Sequence, residues 1–130
     1  MTAMPDLRRV LYVEDDPDIR TIATLALETV GGFQLRACAS GAEALDAAPA
    51  FNPHLLLLDV MMPGLDGPGT LAKLRQLPGM AATPVIFMTA KVQASEMEAY
   101  RSLGAIGVIT KPFDPMGLAA QVRGMWAQAA

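Results

Sequence analysis

Four consecutive leucines, Leu55 to Leu58, run without interruption into Asp59. A strand with one wet face alternates apolar and polar side chains. This run does not alternate, so both of its faces must be covered. The segment His54–Leu58 therefore reads as an inner strand of a parallel sheet with helices on either side. The residues after Asp59, Val60-Met61-Met62-Pro63-Gly64, lead into a loop rather than a helix. A helix N-cap does not explain the carboxylate, and its charge needs another use.

The remaining chain supplies the frame for such a strand. Four further β-favouring runs are Arg9–Val13, Phe33–Ala39, Pro84–Met88 and Gly107–Thr110. Between them lie helical stretches. Asp16-Pro17 opens the first as N-cap and first helical residue, and Gly31-Gly32 stops it. Ser40 and Glu43 fit a capping box for a second helix that ends near Pro49. A third is expected over 70–77, and a fourth is capped by Ser95 and Glu98 and ends at Gly104. Asp114-Pro115 opens the last, which runs to about Trp126 with Leu118, Val122 and Met125 facing inward. The expected fold is α/β: a doubly wound (βα)5 flavodoxin-like unit whose five-stranded parallel sheet has the order 2-1-3-4-5. With no repeat, low-complexity stretch or Gly/Ser linker, residues 1–130 read as a single domain.

Composition narrows the function. Hydrophobic residues make up 52% and charged residues 18%, which suits a folded globule. The net charge is −3 with basic residues scattered, so direct binding to nucleic acid is not expected. No apolar run approaches the roughly 18 residues of a membrane span, and no basic-then-apolar leader opens the chain. A cytoplasmic protein with no membrane contact is expected. The single cysteine, Cys38, reads as a small buried hydrophobe, and the nine methionines read as core filler. His54 lacks a second His or Cys to make a metal site.

In open α/β sheets the chemistry gathers beyond the carboxyl ends of the strands. Glu14 and Asp15 follow the first strand, Asp59 the third, Thr89 the fourth and Lys111 the fifth. Taken singly each has an ordinary explanation. Thr89 would be a strand-end threonine and Lys111 a solvated surface lysine, while Asp16, Asp66 and Asp114 suit caps and turns. Together they place three carboxylates, a hydroxyl and an ammonium at one end of the sheet. Like charges about 4 Å apart repel by roughly 4 kcal/mol at an effective dielectric of 20, so such a cluster calls for a cation. Hard oxygen ligands suit Mg²⁺, and an ionised aspartate beside it can accept a phosphoryl group as an acyl phosphate.

Four blocks carry a resemblance: "VLYVEDDPDIR", "LLLLDVMMPGLDG", "PVIFMTA" and "GAIGVITKPF". In this order they resemble the receiver domain of bacterial two-component response regulators, and single-domain members of the stand-alone chemotaxis type are similar in extent. The resemblance implies that Asp59 is the phosphoacceptor, charged by the phosphohistidine of a sensor histidine kinase or a histidine phosphotransfer protein. It implies that Asp15 binds Mg²⁺ (or Mn²⁺) directly and Glu14 through water, with Asp59 and the backbone carbonyl of Met61 completing the protein ligands. Thr89 and Lys111 would hold the phosphoryl group, and Lys111-Pro112 would be cis. Met61 and Lys91 occupy the positions that tune phosphoryl lifetime. An output partner is expected on the face of helix four, strand five and helix five.

One position departs from the family. Three residues before the lysine, where the family places an aromatic switch residue, this chain has Val108. Repositioning of helix four is the expected alternative, with Tyr100 as its marker; Tyr100 is equally readable as an ordinary packed aromatic. Two rival functions remain to be weighed. A phosphohydrolase of the haloacid-dehalogenase type would need a second aspartate two residues after Asp59, where Met61 stands. A receiver fold kept only for docking would not need every site position filled with a competent residue.

Overall fold

The computed structural model describes residues 6–91 and 93–129. The sheet is built from β1 (Arg9–Val13), β2 (Gln34–Cys38), β3 (Leu55–Asp59), β4 (Val85–Thr89) and β5 (Ala105–Thr110). All four pairings are parallel and the strand order is β2-β1-β3-β4-β5, as the sequence pattern requires. β3 and β4 are buried at every residue, which is the physical reason that neither alternates.

Five helices cover the two faces: α1 (Pro17–Leu25), α2 (Gly41–Phe51), α3 (Gly67–Leu74), α4 (Ala94–Ser102) and α5 (Leu118–Ala129). One apolar layer joins Tyr12, Leu55, Leu57, Met88 and Ile109 of the sheet to Ala23 of α1 and to Leu118, Val122 and Trp126 of α5. The opposite layer joins Leu11, Leu56, Leu58 and Phe87 to Ala44, Leu71, Leu74 and Tyr100. The thiol of Cys38 lies in this second layer, where burial pushes its pKa up. Adjacent leucines of β3 thus serve opposite cores, and all four are fully buried. At about 25 cal/mol per Å² of apolar surface, each contributes roughly 2 kcal/mol of burial free energy. Among the described residues no helix is long and apolar enough to cross a membrane.

Several element boundaries differ from the sequence reading. The first helix does not run uniformly to Gly31: its last turn, Ala26–Val30, widens to a π-helix closed by Gly31 N–H donating to Ala26 O at 3.0 Å. The second helix passes through Pro49 and ends at Asn52 in the left-handed region (φ 50°). Phe51 packs against the core, and a proline in the last turn removes only one intrahelical bond. The third helix starts at Gly67 rather than 70, because Asp66 Oδ1 caps Gly69 N at 2.7 Å. Ser95 and Glu98 do not cap α4. Its N-cap is Gln93, with no side-chain bond, and Glu98 pairs with Arg101 at 3.2 Å. Asp114-Pro115 makes a turn, with Asp114 Oδ1 accepting from Met116 N at 3.1 Å, and α5 begins three residues later.

Two expected caps are present as read. Asp16 Oδ1 accepts from Asp18 N and Ile19 N at 2.9 and 3.1 Å. Ser40 Oγ accepts from Glu43 N at 3.1 Å, while Glu43 Oε2 reaches back to Ala39 N at 2.7 Å. His54 serves the far end of the sheet, its Nδ1 accepting from Arg8 N and Arg9 N.

Candidate functional site

The side chains that matter are set by strand parity. Tyr12 and Glu14, Leu57 and Asp59, and Ile109 and Lys111 are each two residues apart, so each pair shares a face. The inner members lie in the α1/α5 layer. The outer members meet above it at the carboxyl end of the sheet. One carboxylate oxygen from each of Glu14, Asp15 and Asp59 lies within 4.8 Å of the other two. Glu14 and Asp59 are buried, at 1% and 2% exposure, and Asp15 is the more open. At 4.8 Å and an effective dielectric of 20, each like-charged pair repels by about 3.5 kcal/mol.

Lys111 meets this repulsion from the other side. Its Nζ donates to Glu14 Oε1 at 2.8 Å and to Asp59 Oδ1 at 3.1 Å, forming a partly buried fork of two ion pairs. Burial alone would lower the Lys111 pKa, but bonding to Glu14 and Asp59 outweighs it and leaves the ammonium raised. Asp59 is only partly compensated. Burial first, and the Glu14 charge second, raise its carboxyl from 3.8 to about 7, with Lys111 acting in the opposite sense. One lysine therefore balances less than the cluster demands. The donor set is three hard carboxylate oxygens close enough to share a ligand, which fits a divalent cation of the Mg²⁺ type.

Backbone contacts fix these groups in place. Glu14 Oε2 accepts from Asp16 N at 3.2 Å, so both oxygens of Glu14 are engaged. Arg20, at the end of the first turn of α1, donates to Glu14 O at 2.8 Å and Asp15 O at 3.4 Å. It grips the backbone of both acids at once. Gly67 N donates to Val60 O at 3.0 Å, closing the loop that follows Asp59. A Cβ at Gly67 would stand 2.5 Å from Asp59 O and 2.9 Å from Val60 Cα, so only glycine fits beside the end of β3.

Thr89 is buried at the end of β4, and its Oγ1 accepts from Lys91 N at 3.1 Å. The register sets Asp59 against Met88, the residue before Thr89. The Met61 side chain stands 63% exposed at the rim, and the Lys91 side chain is also exposed. Lys111-Pro112 is cis. Val108 is half-buried and packs beside the second core, where it lines a narrow groove with Met97 and Arg101 of α4. The aromatic contact in this region lies elsewhere: Tyr100 of α4 sits 5.2 Å from Phe87 of β4, ring centre to ring centre.

Two residues of the site escaped the sequence reading. Arg20 is one, and its spacing from the acids carries no signal by itself. Tyr12 is the other. Its parity with Glu14 places its ring directly below the acids, but a tyrosine in an apolar strand reads as core.

A five-stranded parallel sheet ordered 2-1-3-4-5, with clustered acids, a threonine and a lysine at its carboxyl end, defines a phosphoacceptor-type α/β module. The family model for the response regulator receiver domain matches residues 10–123, and the chain belongs to that family. Accepting a phosphoryl group in two-component signalling is the function of this family. Among curated relatives, the chain is 38% identical over 120 residues to the transcriptional regulatory protein CseB of Streptomyces coelicolor, covering 92% of this chain and 50% of the relative. It is 34% identical over 116 residues to the DNA-binding response regulator MtrA of Mycolicibacterium smegmatis, covering 89% and 49%. The chain thus spans about half the length of the curated relatives it matches. The chemotaxis protein CheY4 of Vibrio cholerae superposes with a TM-score of 0.84 at 26% identity, covering 92% of this chain and 98% of that one. A response regulator structure from Chloroflexus aurantiacus gives 0.80 at 32%, covering 94% and 99%.

Proposed function

We propose that Asp59 accepts a phosphoryl group from the phosphohistidine of a sensor histidine kinase or histidine phosphotransfer protein. An Asp59 carboxylate oxygen attacks phosphorus, the P–N bond breaks, and the departing imidazole nitrogen takes up a proton. The observation that carries this reading is the convergence of three acids within 4.8 Å of one another, with Lys111 Nζ 3.1 Å from Asp59. Glu14, Asp15, Asp59 and the Met61 backbone carbonyl would hold Mg²⁺ (or Mn²⁺), which when bound neutralises charge on the transferring group. Lys111 turns from the acids to the phosphoryl oxygens, and Thr89 supplies a hydroxyl to them. Residues 1–130 act as one cytoplasmic receiver domain that catalyses only its own phosphorylation and dephosphorylation.

The output is a change in binding to a protein partner over α4, β5 and α5, without direct contact to nucleic acid or membrane. With valine at position 108 the signal does not pass by rotation of an aromatic ring there. Phe87 lies two residues before Thr89 in the same strand and touches Tyr100, so Tyr100 carries movement of the Thr89 end into α4. Met61 offers no amide or carboxylate to orient an attacking water, so phosphoryl lifetime is not shortened at that position. Lys91, two residues after Thr89, is the other tuning position.

Incubation with acetyl phosphate and Mg²⁺ tests the assignment. Intact mass should rise by one phosphoryl group, and Asp59→Asn should abolish the gain. A wild-type protein that gains no mass would point instead to a docking module, and steady multiple turnover of phosphomonoesters would point to a phosphohydrolase.

A further inference from the structure

Tyr12 is fully buried in β1, opposite Ala37 of β2 and Leu57 of β3. Its hydroxyl oxygen is the buried side-chain polar atom that finds no hydrogen-bond partner among the described residues. An unpaired hydroxyl in an apolar layer is costly, and phenylalanine would fill the same space without that cost. Its position is informative. Tyr12 lies two residues below Glu14 on the same face, and its neighbour Leu57 lies two residues below Asp59. The ring therefore occupies the floor of the acidic site. The charges that act on the phenol agree, for after burial itself the largest contributions come from Glu14 and Asp59.

In the arrangement described those two acids already have a donor, because Lys111 Nζ bonds both. Drawing the carboxylates toward a divalent ion, and Lys111 toward a phosphoryl group, takes that donor away. Metal-bound carboxylates need outer hydrogen bonds to hold their orientation. We propose that the Tyr12 hydroxyl is a positioning residue for the loaded site, donating to the Glu14 or Asp59 carboxylate once that carboxylate turns from Lys111 toward the ion. This rests on the Mg²⁺ reading of the site given above and deepens it. The orphan hydroxyl is then the donor for a second arrangement of the same acids.

Tyr12→Phe tests this, since it removes one oxygen and keeps the ring. Two quantities decide: the thermal midpoint of the metal-free protein and the Mg²⁺ dissociation constant by titration calorimetry. The expected result is a midpoint equal to or above wild type together with Mg²⁺ binding weaker by about tenfold, the usual scale for losing an outer-shell partner. A purely structural tyrosine would move stability and leave Mg²⁺ affinity alone. Mg²⁺ binding within twofold of wild type overturns the proposal, and so does a lowered metal-free midpoint, because the hydroxyl would then have a partner already. Wild-type protein that takes up no Mg²⁺ would overturn the metal reading and this inference with it, a result distinct from failure of Tyr12→Phe alone.

Discussion

Asp59→Asn should make the metal-free protein more stable at neutral pH, by an amount that depends on pH in a defined way. Burial and then the Glu14 charge raise the Asp59 carboxyl from 3.8 to about 7. Between those values the folded protein retains a proton that the unfolded chain has released. Stability attributable to this group is therefore greatest below about pH 4 and declines as pH rises toward 7. A rise of about 3 units, at about 1.36 kcal/mol each, corresponds to about 4 kcal/mol of lost stability. Asparagine removes that loss, and its Oδ1 can still accept from Lys111, whose favourable effect on the carboxylate is already contained in the raised value. The net gain is about 4 kcal/mol near pH 7, or about 12 °C in Tm for a domain of this size. The assay is thermal or urea unfolding of both proteins across this pH range without divalent ions. The gain should vanish below about pH 3, where the carboxyl is neutral in the folded and the unfolded chain alike. Added Mg²⁺ should narrow the gap at neutral pH by stabilising the wild type. A difference that is flat with pH, or an Asp59→Asn protein less stable at neutrality, would refute the electrostatic account of the site.

Three further substitutions probe its neighbours. Lys111→Met removes the cation that opposes the Asp59 shift, so the Asp59 carboxyl should titrate above its wild-type value by carbon-13 NMR; an unchanged titration would show that Lys111 is not its counter-ion. Gly67→Ala drives a methyl group into the backbone of Asp59 and Val60, which should cost about 1–3 kcal/mol and slow acetyl phosphate labelling. Gly107→Ala meets the flexible Met125 side chain first and should cost less by the same unfolding assay, so equal losses would argue against a special role for Gly67. Tyr100→Ala removes the ring packed on Phe87 and should cost about 3 kcal/mol on unfolding. It should also blunt the phosphorylation dependence of partner binding, and full retention of that dependence in a folded variant would exclude Tyr100 from the switch.

Much of this architecture was legible because burial on both faces writes itself into composition. Leu55–Leu58 could be only an inner parallel strand, and strand ends follow once the β–α alternation is recognised. Boundaries were harder wherever a distant contact overrode local preference. Gly67, Pro68 and Gly69 are poor helix residues, yet they begin α3 because Asp66 caps them and because only glycine fits against the Asp59 carbonyl. Pro49 reads as a stop, and the helix continues because Phe51 has core to reach. Ser95 with Glu98 has the spacing of a capping box, but the helix starts one residue earlier and leaves Ser95 inside it. For the site, the acids, Thr89 and Lys111 could be placed at strand ends from the chain, while the pair of hydrogen bonds from Lys111 could not. That fork spans 97 and 52 residues of sequence and exists only through the register of β1, β3 and β5. Arg20 and the unpaired Tyr12 hydroxyl were invisible for the same reason: each is defined by what surrounds it.

Under the proposed function, the arrangement answers a conflict that any buried carboxylate nucleophile faces. Burial makes the carboxylate more basic and so a stronger nucleophile, but it also favours the proton that would block attack. A carboxyl raised to about 7 holds its proton far more readily than a free aspartate does. Lys111 alone cannot shift that balance far, since it divides its ammonium between Glu14 and Asp59. A second cation between Asp59 and the acids that follow β1 would hold the nucleophile ionised without withdrawing the low-dielectric surroundings that make it basic. Placing Asp59 at the end of a strand buried on both sides, and its counter-charges on other strands, separates the two demands. The leucines set its environment, and residues beyond the ends of other strands set the charge around it.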